Sequence, residues 1–263
     1  MNYWLGNDEE ALLFGKMIKQ SCFLFLTITT TFAATVPATD APDSSRQWVC
    51  QADIDISGRS GSTHNSGLSV GFNFEGKTKA DVILGNILYA RESSGEDVSA
   101  DDLGLKLAYE TSVVNGHFWY ARTHTGYEKP KGIDFFSVNS LGLGYRFITL
   151  EKGHLDGLVG FAHRIENYSA AGQANLSAPS IDLGILFSND VKWAIIDTSV
   201  TLVPTLKDLS DYIVKHETTF NVLRNGGPVS LKIGMSNEYR SIPQPNKEKL
   251  DTTYFVRLSY EWK

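Results

Sequence analysis

Lys106, Glu110, Arg122, Arg146, Lys215, Glu217, Lys232, Glu238 and Arg257 fall on the polar faces of segments in which apolar and polar residues alternate. Charges of both signs spaced this way suit a lined polar passage, because opposed rows of Arg and carboxylate set ion selectivity in a pore. The same groups close a passage when they pair across it. Both uses stay open at the level of sequence.

Other chemistry finds less support. His163, with Ser137 and Asn139 in the preceding segment, shares one face near the same end of the chain's strands. A Ser–His pair with a third group to hold the imidazole would suit lipid hydrolysis. The His-x-Ser-Asn-Gly motif of outer-membrane phospholipases is absent, and His64-Asn65-Ser66-Gly67 echoes it only in part, so His163 is read as an interface histidine and the protein as no enzyme. His117, His124, His154 and His216 lie singly in different segments and make no metal set. The acidic stretch Gly95 to Asp102 (Glu96, Asp97, Asp101, Asp102) reads as a solvated loop without calcium-loop spacing. The glycines make no phosphate-cradling motif, so no cofactor is expected. The two cysteines, Cys22 and Cys50, leave one thiol once a leader is removed. The net charge of -6, with no basic run, argues against a nucleic-acid partner.

The elements that must position these charges are strands. The last is the clearest: Tyr254, Val256, Leu258, Tyr260 and Trp262 share one face, and Phe255, Arg257, Ser259 and Glu261 the other. Similar alternation predicts twelve strands near 47–57, 66–75, 79–91, 101–112, 115–126, 134–148, 153–166, 179–188, 192–204, 211–224, 228–240 and 252–262. Short turns are expected at Gly76 to Thr78, Val113 to Gly116, Glu151 to Gly153, Asn189-Asp190 and Asn225 to Gly227. Longer polar loops alternate with them, at 58–65, 92–100, 128–133, 167–178, 205–210 and 241–250. An even strand count with short turns at one end and long loops at the other describes an antiparallel up-and-down transmembrane barrel. Trp48, Tyr254, Tyr260 and Trp262 are the candidate interface aromatics, and Trp119 and Trp193 fall near the turn end with their facing undecided.

The start of the chain is read as a leader. Lys19 precedes an apolar run from Cys22 to Ala34 and then small residues, the layout of a secretory signal peptide and too short for a membrane-spanning helix. The expected organisation is 1–16 as a mis-assigned start, 17–38 as signal peptide, 39–46 as a short periplasmic segment, and 47–263 as the barrel.

Trp48, the run Ser57 to Thr63, Leu141-Gly142-Leu143-Gly144-Tyr145-Arg146, and the ending Asn237 to Pro243 with Leu258 to Trp262 keep a family's order across 47–262. In these positions the chain resembles the salt-induced outer-membrane protein family, a YdiY-like domain of unknown function. Gly61-Ser62 replaces that family's usual Gly-Asn pair, and Lys263 follows the final aromatic. The resemblance implies an exported outer-membrane barrel in contact with lipid, inserted by the barrel-assembly machinery, with no settled activity. A narrow channel for small solutes or ions, linked to salt or osmotic stress, is the leading expectation. A closed envelope protein is the alternative, and a lipid-acting enzyme comes last.

Overall fold

Period-two alternation makes a strand with two unlike faces, and twelve such strands hide both edges only by closing on themselves. The computed structural model describes residues 45–60, 65–94, 97–169, 173–222 and 227–263. The leader, residues 1–16 and most of 39–46 lie outside the described residues. So do parts of the 58–65 and 167–178 loops, and Asn225-Gly226.

The strands are β1 (Gln47–Ser60), β2 (Asn65–Lys77), β3 (Asp81–Ser94), β4 (Asp97–Thr111), β5 (His117–Glu128), β6 (Ile133–Leu150), β7 (Gly153–Tyr168), β8 (Leu176–Val191), β9 (Ala194–Pro204), β10 (Tyr212–Asn221), β11 (Val229–Arg240) and β12 (Leu250–Trp262). Each pairs antiparallel with its sequence neighbours, and β1 pairs with β12 to complete a closed barrel. All twelve predicted strands are present. None of the described helices is long and apolar enough to cross a membrane; the one helical turn is a 3-10 helix at Lys129–Lys131.

The faces sort with the apolar side outward. Ile54, Ile56, Leu68, Val70, Val159, Phe161, Ile185, Val256 and Leu258 are exposed, Phe161 to 77%. Asp53, Asp55, Asp156, Arg164, Glu166 and Asp182 are buried inside, each at 3% exposure or less. In water this arrangement would be unstable on both counts, because large apolar surface stays wet while charges lose solvent. A lipid-facing barrel with a polar interior needs this arrangement.

Two expectations about connections need correction. The predicted turn at Asn189-Asp190 lies in β8, and the chain reverses at Lys192-Trp193 instead. The predicted loop 92–100 is mostly strand, since β3 runs to Ser94 and β4 starts at Asp97, leaving only 95–96 between them. Loop length therefore separates the two ends less sharply than the sequence suggests. Polar residues on both faces look like a loop in sequence, but a strand continuing past the lipid has no apolar face to keep.

Candidate functional site

All the sequence-predicted lining residues take the inward register. Lys106 stands cross-strand from His124, Lys215 from Glu238, Lys232 from Arg257, and Glu110 from Val82 and Tyr120. The structure brings most of them to partners. Arg257 donates from Nε and Nη2 to the two oxygens of Asp55, both at 2.7 Å. Arg146 holds Asp156 in the same two-armed way at 2.8 Å. Lys232 makes only a long contact, 3.4 Å to Gln51 Oε1. Lys106 on β4 comes within 3.9 Å of Glu217 on β10, on the opposite side of the ring, so this pair spans the bore.

Toward the loop end a denser network of ion pairs crosses the bore. Arg164 donates from Nε to Glu166 and from Nη1 to Asp211, each at 2.9 Å. Arg240 reaches from β11 to both Glu166 oxygens at 2.9 and 3.0 Å, and its Nε donates to Glu238 at 2.7 Å. Tyr168 Oη adds a bond of 2.6 Å to Glu166. Lys215 holds the other oxygen of Glu238 at 2.9 Å. Lys131 enters from the 3-10 turn to Glu238 at 2.9 Å, with Glu128 and Asp251 within 3.6 Å. Gly132, at φ +69°, ends that turn in a conformation few other residues adopt, which lets the chain reverse directly after the lysine.

Burial alone would pull the Lys131 ammonium down, but Glu128, Glu238 and Asp251 outweigh it and hold its pKa above the ordinary lysine value. Its ion pairs therefore stabilise the fold wherever those carboxylates are ionised, and on the alkaline side they are lost only as pH rises from the unfolded lysine value through the raised one. Alkaline conditions near neutrality do not release this latch.

Sequence reasoning missed Arg164, Glu166, Arg240, Asp182, Asp53, Lys131 and Asp211 as lining residues. The strand-borne ones carried a usable signal. Arg240 lies two positions from Glu238, and Arg164 and Glu166 continue the register of Asp156 along β7. Lys131 and Asp211 sit in connections, where no periodicity points inward.

Midway along the bore a second cluster braces one wall. Tyr120 on β5 donates to Asp182 on β8 at 3.1 Å, and Arg122 Nε donates to the same carboxylate at 3.0 Å while its Nη2 takes the other oxygen. Two strands separate β5 from β8, and the tyrosine crosses them because Gly142 and Gly160, paired cross-strand, leave a notch. A Cβ on Gly160 would stand 2.6 Å from the Tyr120 hydroxyl, and one on Gly142 2.7 Å. Phe118, Tyr120 and Leu158 form a small apolar cluster beside it.

Below the Lys106–Glu217 bridge the bore stays open. A cavity of about 440 Å³ lies toward the turn end, lined by Glu75 on β2, Leu84 on β3, His154 on β7, Leu186 and Ser188 on β8, Asp197 and Ser199 on β9, and Glu217 and Thr219 on β10.

The outer surface carries the aromatics. Trp48, Trp119, Trp193 and Trp262 are all exposed at the turn end, Trp193 within the turn itself. Tyr260 stands beside Trp262, whereas Tyr254 lies toward the loop end of β12. His163 faces outward opposite Asn139, yet its Nε2 meets Ser177 at 3.4 Å. Asn139 is engaged instead by Thr123 and Ser137.

The barrel resembles solved outer-membrane barrels. The NanC porin superposes with a TM-score of 0.54 at 9% identity, covering 80% of this chain and 98% of the porin. The COG4313 outer membrane channel from Pseudomonas putida F1 gives 0.51 at 11% identity, covering 86% of this chain and all of that one (100%). At these identities the likeness establishes the fold, an outer-membrane β-barrel, and nothing finer. No curated protein sequence matches the chain. A family profile described as "Protein of unknown function, DUF481" matches residues 52–262, nearly the whole barrel, and the chain belongs to that family.

Proposed function

We propose that this protein is a narrow channel in a bacterial outer membrane, passing small ions or solutes through a charged bore constricted at its loop end. The observation that carries the reading is the succession of charged groups along the inner wall, which runs from the Arg164–Glu166–Arg240 network past Lys106–Glu217 into an unfilled cavity. Filling a bore needs no charges. Buried ion pairs stabilise a fold no better than well-packed apolar residues of similar volume, and often less well. A lining kept charged despite that cost keeps a path that water and ions can enter.

Export by the leader, contact with outer-membrane lipids and insertion by the assembly machinery belong to the same reading, supported by the apolar exterior and the signal-like N-terminal segment. The link to salt or osmotic stress rests on the family resemblance. We assign the protein no catalysis, because among the described residues no third side chain hydrogen-bonds the His163 ring to hold it for Ser177. The second reading, a closed envelope protein, is favoured by one observation: the loop-end network pairs charges across the bore, Arg240 on β11 with Glu166 on β7 and Lys131 of the 3-10 turn with Glu238.

Conductance in planar lipid bilayers separates them. Purified, folded wild-type protein is expected to give small steps, and Arg240→Ser with Glu166→Ser to give steps several times larger, because the pair is removed together and no lone buried charge remains. Absence of current above background from both proteins would establish the closed barrel instead.

A further inference from the structure

The cavity at the turn end has an unbalanced charge. Three buried carboxylates of the bore sit against guanidinium groups, Asp55 on Arg257, Asp156 on Arg146 and Asp182 on Arg122, while Glu110 makes no ion pair within 4 Å among the described residues. The cavity's own carboxylates sit against no guanidinium. Among the described residues Glu75 makes no ion pair within 4 Å, and Asp197 is hydrogen-bonded by the Ser188 hydroxyl at 2.7 Å, with Lys232 and His154 acting on it only from beyond ion-pair range. Among the described residues Glu217's one ion pair within 4 Å is with Lys106, at 3.9 Å and with both side chains well exposed, and Arg257 acts on it from farther away. His154 is the cavity's one basic side chain, and it lies 3.6 Å from Asp156. The described lining thus carries three carboxylates against one histidine, with the nearest lysine, Lys106, held at 3.9 Å from Glu217.

The placement of these charges selects among cations. Glu75 stands on β2, while Asp197 and Glu217 stand on β9 and β10 across the bore. Among the described residues no three His, Cys, Asp or Glu side chains converge to hold a metal ion. A compact divalent ion needs converging oxygens at short range. An extended cation, with positive ends joined by an apolar stem, needs carboxylates apart and an apolar strip between. Leu84 on one wall and Leu186 on the other supply apolar surface to the same cavity, and Ser199 and Thr219 add hydroxyl acceptors for ammonium protons. We propose that this vestibule binds aliphatic di- or polyamines, one ammonium at Glu75 and another at the Asp197–Glu217 wall. Within the channel reading, on which its role rests, this names the class of solute the bore accepts from the turn side.

The test is calorimetric titration of the full, folded protein in detergent with spermidine, set against magnesium chloride and against propylamine at matched ionic strength. Saturable spermidine binding is expected, tighter than for either control, and weakened roughly tenfold or more in Glu75→Gln and in Asp197→Asn, the loss of one charge-assisted contact. Spermidine binding no tighter than magnesium, or unchanged in both variants, overturns the proposal. Conductance measured on the same preparation keeps the two claims apart. A protein that binds spermidine but passes no current retains the amine site and loses the channel. One that conducts without binding spermidine retains the channel and loses the site.

Discussion

Two missing side chains decide how Tyr120 lies. Its ring crosses two strands only because positions 142 and 160 carry no Cβ, and its hydroxyl ends on a fully buried carboxylate that Arg122 also holds. Gly160→Val would force the ring out of the notch, and overpacking of this kind costs about 1–3 kcal/mol. Tyr120→Phe removes one bond to a carboxylate that keeps its guanidinium, so its cost should stay near 1 kcal/mol. Because both changes act on one contact, adding Tyr120→Ala to Gly160→Val should destabilise by clearly less than the sum of the single variants. Urea unfolding in micelles reads all of these; strict additivity would mean the notch does not seat the tyrosine. At this scale the sequence was partly legible. Leu141 to Arg146 stood out as a pattern, but nothing in it says that Tyr120, on the preceding strand, lies over Gly142. Lys131 was illegible for a different reason, since an ion pair between a connection and β11 has no sequence period.

Strands were the most legible elements, because each must keep one apolar row against lipid and the row repeats every second residue. Where the lipid ends, that constraint lapses. Residues 92–94 and 97–100 therefore looked like loop while continuing β3 and β4, and Asn189-Asp190 looked like a turn while continuing β8. The seam that closes the barrel is the element the sequence does specify well. Cys50 pairs with Trp262, and a run of rings (Trp48, Phe74, Phe72, Trp262, Tyr260) crosses β2, β1 and β12 with centroids 6.0–6.4 Å apart. Aromatic contacts add about 0.5–1.5 kcal/mol each beyond buried area. Trp262 touches two of these rings, so Trp262→Ala should lower stability by about 1–3 kcal/mol. It should also slow folding into vesicles, scored by the heat-modifiable shift in gel mobility. Phe161→Ala, on an equally lipid-facing site away from the seam, should fold at close to the wild-type rate. Equal slowing in both would mean that the rings matter only as apolar surface.

For the whole molecule, one physical arrangement governs the rest: apolar rows outside, charge inside, and tryptophans gathered at one rim. Protein prepared without residues 1–38 keeps Trp48, Trp119, Trp193 and Trp262, and all four are exposed at the turn end. If that rim lies at a bilayer interface, where an indole keeps its N–H wet and its ring in hydrocarbon, then quenching must depend on depth. Folded protein in vesicles should lose most tryptophan emission to lipids brominated near the headgroup and least to lipids brominated near the chain ends. Because the four residues share one end, a single depth should fit the whole signal. Trp193, in the turn, should contribute the shallowest part, so Trp193→Phe should shift the apparent depth inward. A flat profile would place the girdle away from the interface, and an unquenched one would leave the barrel out of the bilayer. The channel reading needs the depth-dependent result, whereas the amine site needs only the closed barrel and its cavity, and the two can fail separately.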